Sequence, residues 1–207
     1  MSSHPKGTKV RVAADFYETP AWVVAPLLDE LYQHMPPMPS VDVLDPGMGA
    51  GALGRAVRLD PSWGSCRLTG VELPEEASKH PDQSNTYDTV LHQSFLEALG
   101  FWAPKAYDLV ICREVLEHLS IGQIRRAVTN LAALSAGFVY VTTRFAKEPD
   151  SLLSVDTQDG LDPTHISMLN QTFLRALFVL EGFKRRADLE AAMDWKTLGR
   201  VLVYERA

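Results

Sequence analysis

Three glycines and an acid stand close together near the start of the chain, in the stretch 43–51, which reads VLDPGMGAG. Glycine lets a backbone turn tightly and approach a bound ligand without a clash from Cβ. The carboxylate of Asp45, directly before the glycines, suits a positively charged group such as an ammonium or a sulfonium better than it suits a pyrophosphate. The stretch therefore predicts a cradle for a ligand that carries a positive charge.

The same residues also satisfy the GxGxxG pattern of dinucleotide-binding proteins. Gly49, Gly51 and Gly54 supply the glycines, and Glu72 follows at close to the spacing of about 20 residues that a ribose-binding acid takes in such proteins. An oxidoreductase with a nicotinamide cofactor is therefore an alternative, and a glycine-rich connection that binds nothing is another. Asp45 and the lack of room for a separate substrate domain in 207 residues count against the oxidoreductase.

Two acids and two histidines follow later apolar segments. Glu114, Glu117 and His118 come after one apolar run, and His165 lies in a loop after the next. Because residues that follow parallel strands meet at one edge of a sheet, these four side chains are predicted to converge. Two carboxylates and two imidazoles suit Mg²⁺ or Mn²⁺, which would bind and acidify a hydroxyl. Without a metal, His118 or His165 would act as a general base, and packing is the remaining alternative.

Strands and helices must alternate to bring these residues together, and the hydrophobic pattern shows that alternation. Strands are predicted over 41–44, 67–72, 89–92, 107–112, 138–143 and 200–204. One helix is predicted to follow the glycine loop, and others begin at Thr19, at Ser120 and at Asn170, with Gly137 and Gly182 closing the last two. This order is typical of an α/β fold with a parallel sheet and helices on both faces.

Composition limits the function further. The chain is 46% hydrophobic and 22% charged, which is ordinary for one globular domain. We expect a flexible arm over 1–15, a single domain over 16–207 and a cytoplasmic location, since no apolar run reaches the roughly 18 residues of a membrane span. Cys66 and Cys112 are predicted to be buried thiols. The net charge of −6 argues against a broad nucleic-acid surface.

Taken in order, these features resemble those of the class I S-adenosylmethionine (SAM) dependent methyltransferases. The glycine loop is similar to their first motif, Glu72 to their ribose-binding acid, and the stretch 107–118 to their fourth strand and the turn after it. The resemblance spans residues 41–119 and continues through the later elements. It implies a Rossmann-like three-layer sandwich with a mainly parallel seven-stranded sheet that ends in an antiparallel hairpin. It also implies methyl transfer from SAM.

The resemblance assigns cofactor contacts to individual positions. Asp45 and the glycines are expected beside the methionine part of SAM, Glu72 at the ribose hydroxyls, and Ser94 with Phe95 at the adenine. Ser94 stands where the family often has Asp, and it can still form a hydrogen bond. The full set of expected cofactor-binding residues is Thr19, Asp45, Gly47, Gly49, Gly51, Glu72, Ser94, Phe95 and Arg113.

Features that are typical of particular subfamilies limit the class of methyl acceptor. Thr19-Pro20 resembles an element of some DNA amino-methyltransferases, although a plain helix start explains it equally well. Their Asn/Asp-Pro-Pro-aromatic motif is replaced here by Cys-Arg-Glu-Val over 112–115, which argues against amine methylation of adenine or cytosine. The Glu-x-x-Glu-His turn resembles the metal site of small-RNA 2′-O-methyltransferases and part of the ubiquinone-type O-methyltransferases.

These features together predict methyl transfer to a hydroxyl of a small molecule. The catalytic residues would be His118 and His165, and a metal site would use Glu114, Glu117, His118 and His165. The alternatives are a 2′-O-methyltransferase of RNA or a nucleotide, and a methyltransferase-like subunit that binds SAM and regulates a partner.

Overall fold

The structure is a computed structural model that describes residues 29, 33, 40–79, 85–100, 103–146, 153–154, 164–194 and 199–207. The predicted arm over 1–15, the helix predicted to begin at Thr19 and the cofactor contact assigned to Thr19 lie outside the described residues. Within the described segments, no helix is both long enough and apolar enough to cross a membrane.

A seven-stranded sheet forms the centre of the described structure. Its strands are β1 (Val41–Pro46), β2 (Cys66–Glu72), β3 (Thr89–His92), β4 (Tyr107–Arg113), β5 (Ser135–Thr142), β6 (Phe183–Arg185) and β7 (Val201–Arg206). They lie in the order β3-β2-β1-β4-β5-β7-β6. Strands β1 to β5 are parallel, and β7 runs antiparallel to both of its neighbours. The prediction of a mainly parallel seven-stranded sheet with a final antiparallel hairpin is confirmed.

Helices cover both faces of this sheet. They are α1 (Ala52–Leu59), α2 (Pro74–Ala77), α3 (Ile121–Leu134), α4 (Gln171–Leu180) and α5 (Ala187–Met193). Alternate residues of the central strands enter two apolar clusters, because successive side chains of a strand point to opposite faces. Leu109 packs in one cluster with residues of α1 and α5, and Val110 packs in the other with residues of α3 and α4. The result is the predicted three-layer sandwich.

Most of the predicted helix ends are correct, and one is wrong. Ser120 and Gln123 form the capping box of α3, Asn170 caps α4 through its side chain, and Gly182 follows α4 with φ of +82°. Gly137, however, does not close α3. The helix ends at Leu134, the chain enters β5 directly, and a Cβ on Gly137 would lie 2.8 Å from the carbonyl oxygen of Asp108.

Shorter elements complete the carboxyl edge of the sheet, where the candidate site lies. The 3₁₀ turns at Phe95–Gly100 and Leu116–His118 follow β3 and β4 at this edge, and a two-stranded ribbon pairs Leu153–Ser154 with Met168–Leu169. A further 3₁₀ turn, Pro61–Trp63, lies between α1 and β2 at the opposite edge. The ribbon strand at 168–169 follows His165. Cys66 and Cys112 are free and buried, as predicted.

Candidate active site

A cavity of about 590 Å³ opens at the carboxyl edge of the sheet. Loops that follow β1, β2, β4 and β5 form its walls, as expected for ligand sites in open α/β sheets. Its lining contains most of the residues singled out from the sequence, namely Asp45, Gly47, Gly49, Glu72, Phe95, Arg113, Glu114, His118 and His165. Ser94, Gly51 and Glu117 do not line it.

The glycine loop has the backbone conformation that requires glycine. Gly47, Gly49 and Gly51 have φ values of +77°, +53° and +78°, which side chains other than glycine rarely adopt. The amides of Gly47 and Met48 both donate to the carbonyl oxygen of Val71, at 2.8 and 3.1 Å. Gly51 forms the left-handed cap of α1 rather than part of the cavity wall.

Glu72, at the end of β2, is fixed across this loop. Its Oε2 accepts a hydrogen bond from the amide of Gly49 at 2.8 Å, and its Oε1 accepts one from the amide of Leu73 at 2.8 Å. The carboxylate is half-buried and lines the cavity. The predicted ribose-binding acid is therefore held beside the glycine loop by backbone donors.

Asp45 is buried at the base of the cavity and has a partner that the sequence did not predict. The Tyr87 hydroxyl donates to Asp45 Oδ2 at 2.6 Å and accepts from the amide of Gly54 at 3.3 Å. Burial raises the pKa of Asp45 to about 6, and the nearby charge of Arg113 opposes that rise. Tyr87 precedes the short strand β3, and only the packing of β3 against β2 brings it to Asp45.

The predicted adenine residues are placed differently from each other. Phe95 lines the cavity, whereas the Ser94 hydroxyl accepts a weak hydrogen bond from the amide of Leu96 at 3.3 Å. The turn that carries Phe95 is anchored by buried Asn130, whose amide donates to the carbonyl oxygens of Phe95 and Leu96, both at 2.9 Å. Phe95 thus lies at the cavity wall, whereas the Ser94 hydroxyl forms its hydrogen bond within the turn.

The turn after β4 contains backbone strain. Glu114 has φ of +49°, a conformation that costs about 1 to 3 kcal/mol for a residue other than glycine and is common at functional sites. Its amide donates to the carbonyl oxygen of Thr142 at 2.8 Å, which ties the turn to the end of β5. Both Arg113 and Glu114 line the cavity.

Three of the four predicted metal ligands come together. Glu117, His118 and His165 each offer one ligand atom, and these atoms lie within 4.8 Å of one another. The two imidazole rings have centroids 4.9 Å apart. The Thr164 hydroxyl lies 2.9 Å from His118 Nδ1 and fixes that ring. Glu114 lines the cavity but does not belong to this cluster.

Glu117 is fully buried beneath the two histidines. Thr143 Oγ1 donates to its Oε2 at 2.8 Å, and its Oε1 accepts no hydrogen bond within the described part of the chain. Burial raises the pKa of Glu117, and the neighbouring Glu114 carboxylate raises it further. A buried carboxylate oxygen in this setting suits a cation or a proton donor.

Two arginines that the sequence interpretation did not single out also line the cavity. Arg144 comes two residues after β5, and Arg200 comes directly before β7. Their positions at strand ends were a usable signal, because the carboxyl end of β5 and the start of antiparallel β7 lie at the same edge of the sheet. They place positive charge on the side of the cavity away from Glu72.

Known proteins that are similar to this chain in sequence are methyltransferases, which agrees with the fold described above. A family model described as "Methyltransferase domain" matches residues 22–187. The ubiquinone biosynthesis O-methyltransferase of Albidiferax ferrireducens is 29% identical over 130 residues, which are 60% of this chain and 49% of that protein. The chain thus spans about half the length of this curated relative.

Solved structures of low sequence identity share the fold. The magnesium protoporphyrin IX methyltransferase of Synechocystis PCC 6803, with bound SAH, superposes with a TM-score of 0.60 at 17% identity, covering 90% of this chain and 82% of that one. The 1,6-didemethyltoxoflavin-N1-methyltransferase of Burkholderia thailandensis has a TM-score of 0.57 at 17% identity, with coverage of 90% and 78%. Because the family match extends over most of the chain and the fold agrees, the protein belongs to the class I SAM-dependent methyltransferase family.

Proposed function

We propose that the protein transfers a methyl group from SAM to a hydroxyl of a small molecule. The observation that carries this proposal is a single cavity in which Asp45, Glu72 and the glycine loop lie at one end and His118 and His165 at the other. The relative from Albidiferax is by its name an O-methyltransferase, which supports a hydroxyl acceptor over an amine.

The residues of the cofactor end fit SAM by their chemistry. SAM supplies an activated methyl group on a positively charged sulfur. The Glu72 carboxylate accepts hydrogen bonds from the two ribose hydroxyls, and the Asp45 carboxylate stabilises the positive charge of the methionine part. A Cβ on Gly47 would lie 2.6 Å from a methyl carbon of Val115, so glycine is needed for the loop to pack against the turn after β4. Phe95 offers an apolar face to the adenine.

The residues at the other end fit the removal of a proton from the acceptor. Methyl transfer is an in-line displacement, so the acceptor oxygen must be aligned and deprotonated. His118 is oriented by Thr164 at 2.9 Å, and His165 is buried beside it. Without a metal, one of these imidazoles accepts the hydroxyl proton, and the fixed rings align the oxygen.

We extend the proposal to a divalent metal held by Glu117, His118 and His165. The fit rests on the buried Glu117 Oε1 and on ligand atoms that lie within 4.8 Å of one another. One carboxylate and two imidazoles are donors that divalent transition metals accept, and Mn²⁺ fits them better than Mg²⁺, which prefers oxygen ligands and water. A bound ion would lower the pKa of an acceptor hydroxyl. Glu114 would then act from outside the ligand set.

A 2′-O-methyltransferase of RNA or a nucleotide is the second candidate, because the same Glu and His side chains favour a metal beside a ribose hydroxyl. The net charge of −6 provides little attraction for a long nucleic acid. A SAM-binding regulatory subunit is the third, and it differs from both in having no turnover.

The test measures SAM binding by calorimetry and release of S-adenosylhomocysteine (SAH) with a panel of small hydroxyl compounds, nucleotides and RNA. We expect SAM to bind and at least one small hydroxyl compound to be methylated. His165→Ala should lower turnover at least a hundredfold and leave SAM affinity unchanged, whereas His92→Ala, an exposed histidine on β3, should change neither. Binding of NADH without binding of SAM would overturn the proposal.

The metal is tested in the same assay. Turnover should disappear in EDTA and return with Mn²⁺, and binding of Mn²⁺ itself should weaken at least tenfold in His118→Ala and in His165→Ala. Full turnover in EDTA, combined with loss in His165→Ala, would assign His165 to proton transfer and remove the metal from the mechanism.

A further inference from the structure

The glycine loop after β1 already uses its leading backbone amides within the protein. The amides of Gly47 and Met48 donate to the carbonyl oxygen of Val71 at 2.8 and 3.1 Å, and the amide of Gly49 donates to Glu72 Oε2 at 2.8 Å. Loops that bind anions through the backbone instead point such amides at the ligand. We therefore expect a negatively charged group of the cofactor to need a cationic side chain.

Three arginines among the described residues line the cavity, namely Arg113, Arg144 and Arg200. Arg144 already interacts with another residue. Arg200 precedes β7, which is separated from β1 by both β4 and β5 in the sheet order. Arg113 ends β4, the strand that pairs directly with β1. Arg113 is therefore the arginine on the strand next to the glycine loop.

Asp45 and Arg113 lie on the same side of the sheet. Val43 of β1 pairs with Leu109 of β4, and both enter one apolar cluster. Because alternate residues of a strand share a face, Asp45 and Arg113, two and four residues further on, project to that side. Burial raises the pKa of Asp45, and the charge of Arg113 is the largest influence that opposes the rise. Within the described residues no direct ion pair joins the two side chains.

Two opposite charges that are close but not in contact suit a ligand group that carries both charges. The amino-acid end of SAM has an ammonium and a carboxylate on one carbon atom, and a guanidinium fits a carboxylate through paired donors. A ligand with the ammonium alone would place a second positive charge beside Arg113, which is unfavourable. We infer that the Arg113 side chain binds the carboxylate of the cofactor while Asp45 binds its ammonium, so that Arg113 makes the protein selective for the intact amino acid.

This inference rests on the proposed function for SAM as the ligand, but binding alone can test it. Four adenosine thioethers separate the two charges. SAH carries both, decarboxylated SAH carries only the ammonium, deaminated SAH carries only the carboxylate, and 5′-methylthioadenosine carries neither. In calorimetry at pH 7.5, we expect SAH to bind the wild type at least tenfold more tightly than each of the other three.

Variants assign the carboxylate to one arginine. In Arg113→Gln, SAH should lose affinity at least tenfold, whereas decarboxylated SAH should bind as tightly as before or more tightly, because a positive charge beside its ammonium is gone. A general disturbance of the cavity would weaken both ligands. Arg113→Lys keeps the charge and should retain part of the preference. Arg126→Gln, an exposed arginine on α3, should bind all four ligands as the wild type does, and Arg200→Gln should keep the preference.

The outcomes separate this inference from the proposed function. Equal affinities of the wild type for SAH and decarboxylated SAH would overturn the inference without any variant. A preference that survives in Arg113→Gln, or that is lost in Arg200→Gln instead, would also overturn it, and turnover of SAM would still leave the proposed function standing. Conversely, a preference that depends on Arg113 in a protein that never consumes SAM would keep this site and remove the methyltransferase activity. Failure of all four ligands to bind would overturn both.

Discussion

The two ends of the cavity are built in different ways. At the cofactor end, backbone amides hold the Glu72 carboxylate, since Gly49 and Leu73 donate to it, and only Asp45 takes a side-chain partner there among the contacts described above. At the acceptor end, side chains hold side chains, as in the contacts of Thr143 with Glu117 and of Thr164 with His118. The first arrangement depends on a loop conformation that one short motif encodes. The second depends on several segments, so single substitutions can alter it while the fold persists.

The two ends come close together at Gly47 and Val115, and a substitution there should have the largest effect. A Cβ on Gly47 would lie 2.6 Å from Val115 Cγ2, and the φ of Gly47 is +77°. We expect Gly47→Ala to lower the free energy of unfolding by about 3 kcal/mol, from backbone strain and overpacking together. Chemical denaturation measures this loss, and Gly122→Ala, an exposed helical position with no neighbour within 4 Å, should not lower stability.

A double-mutant cycle measures how much of that loss of stability arises from the contact between the two ends. In the Val115→Ala background the steric part of the Gly47→Ala effect should disappear, leaving a coupling of about 1 kcal/mol or more between the two substitutions. Strictly additive effects would mean that the loop and the turn after β4 do not constrain each other.

The cofactor end should respond most strongly to loss of Glu72. We expect Glu72→Ala to weaken SAM binding about a hundredfold, because the ribose loses both charge-assisted hydrogen bonds and the amide of Gly49 loses its acceptor. Glu75→Ala, an exposed acid three residues later, is the matched control. SAM affinity in Glu72→Ala equal to that of the control would place the ribose elsewhere in the cavity.

The same contrast explains what the sequence could predict. The sheet, Glu72 and the glycine loop were predictable because their spacing is local and their backbone demands glycine at particular positions. Tyr87 was not, because it reaches Asp45 across 42 residues through packing of β3 that no local pattern encodes. Gly137 was misassigned to a helix end because glycine also permits close contact between strands.

The acceptor end was predictable only in part. Strand-end position was enough to bring Glu117, His118 and His165 together, but it also suggested Glu114, which lines the cavity and is not one of the three clustered residues. Arg144 and Arg200 occupy strand ends of the same kind, and they were overlooked because arginines near a helix or strand end are usually solvent-exposed surface residues.

The pH dependence of SAM binding sharpens the assignment of Asp45. Burial raises its pKa from 3.8 to about 6, so the free enzyme carries this carboxylate charged at pH 7.5 and mostly protonated at pH 5. If the charge stabilises SAM, affinity should fall about tenfold between these pH values. Calorimetry at both values checks this, and the decline should vanish in Asp45→Asn.

The raised pKa of Asp45 affects the free energy of unfolding in the opposite direction, since that free energy falls as the pH rises. A raised pKa means that the folded protein binds the proton more tightly than the unfolded chain, so this contribution is present at pH values below about 4 and is lost as the pH rises through 6. The ligand-free Asp45→Asn variant should therefore gain stability relative to the wild type on going from pH 4 to pH 7.5. A constant difference between the two proteins would show that Asp45 does not titrate in this range.

The smallest expected change in stability comes from removing the hydroxyl group of a buried tyrosine, and two buried tyrosines should differ in it. Tyr87→Phe removes the donor to Asp45 and the acceptor for Gly54, so we expect a loss of about 1 to 2 kcal/mol in the free energy of unfolding. Tyr204 is also buried, but its hydroxyl has no hydrogen-bond partner among the described residues. Tyr204→Phe should therefore be neutral or slightly stabilising, because it removes a polar group that gains nothing from the interior.

Denaturation of the two variants at pH 7.5 gives the comparison directly, and SAM affinity gives a second readout. Losing the Tyr87 hydroxyl should raise the pKa of Asp45, because that hydrogen bond favours the charged form. The pH at which SAM affinity declines should then move upward in Tyr87→Phe and stay unchanged in Tyr204→Phe. Equal stability losses with unshifted pH profiles in both variants would show that Tyr87 acts by packing alone, and Asp45 would then be held by the glycine loop without it.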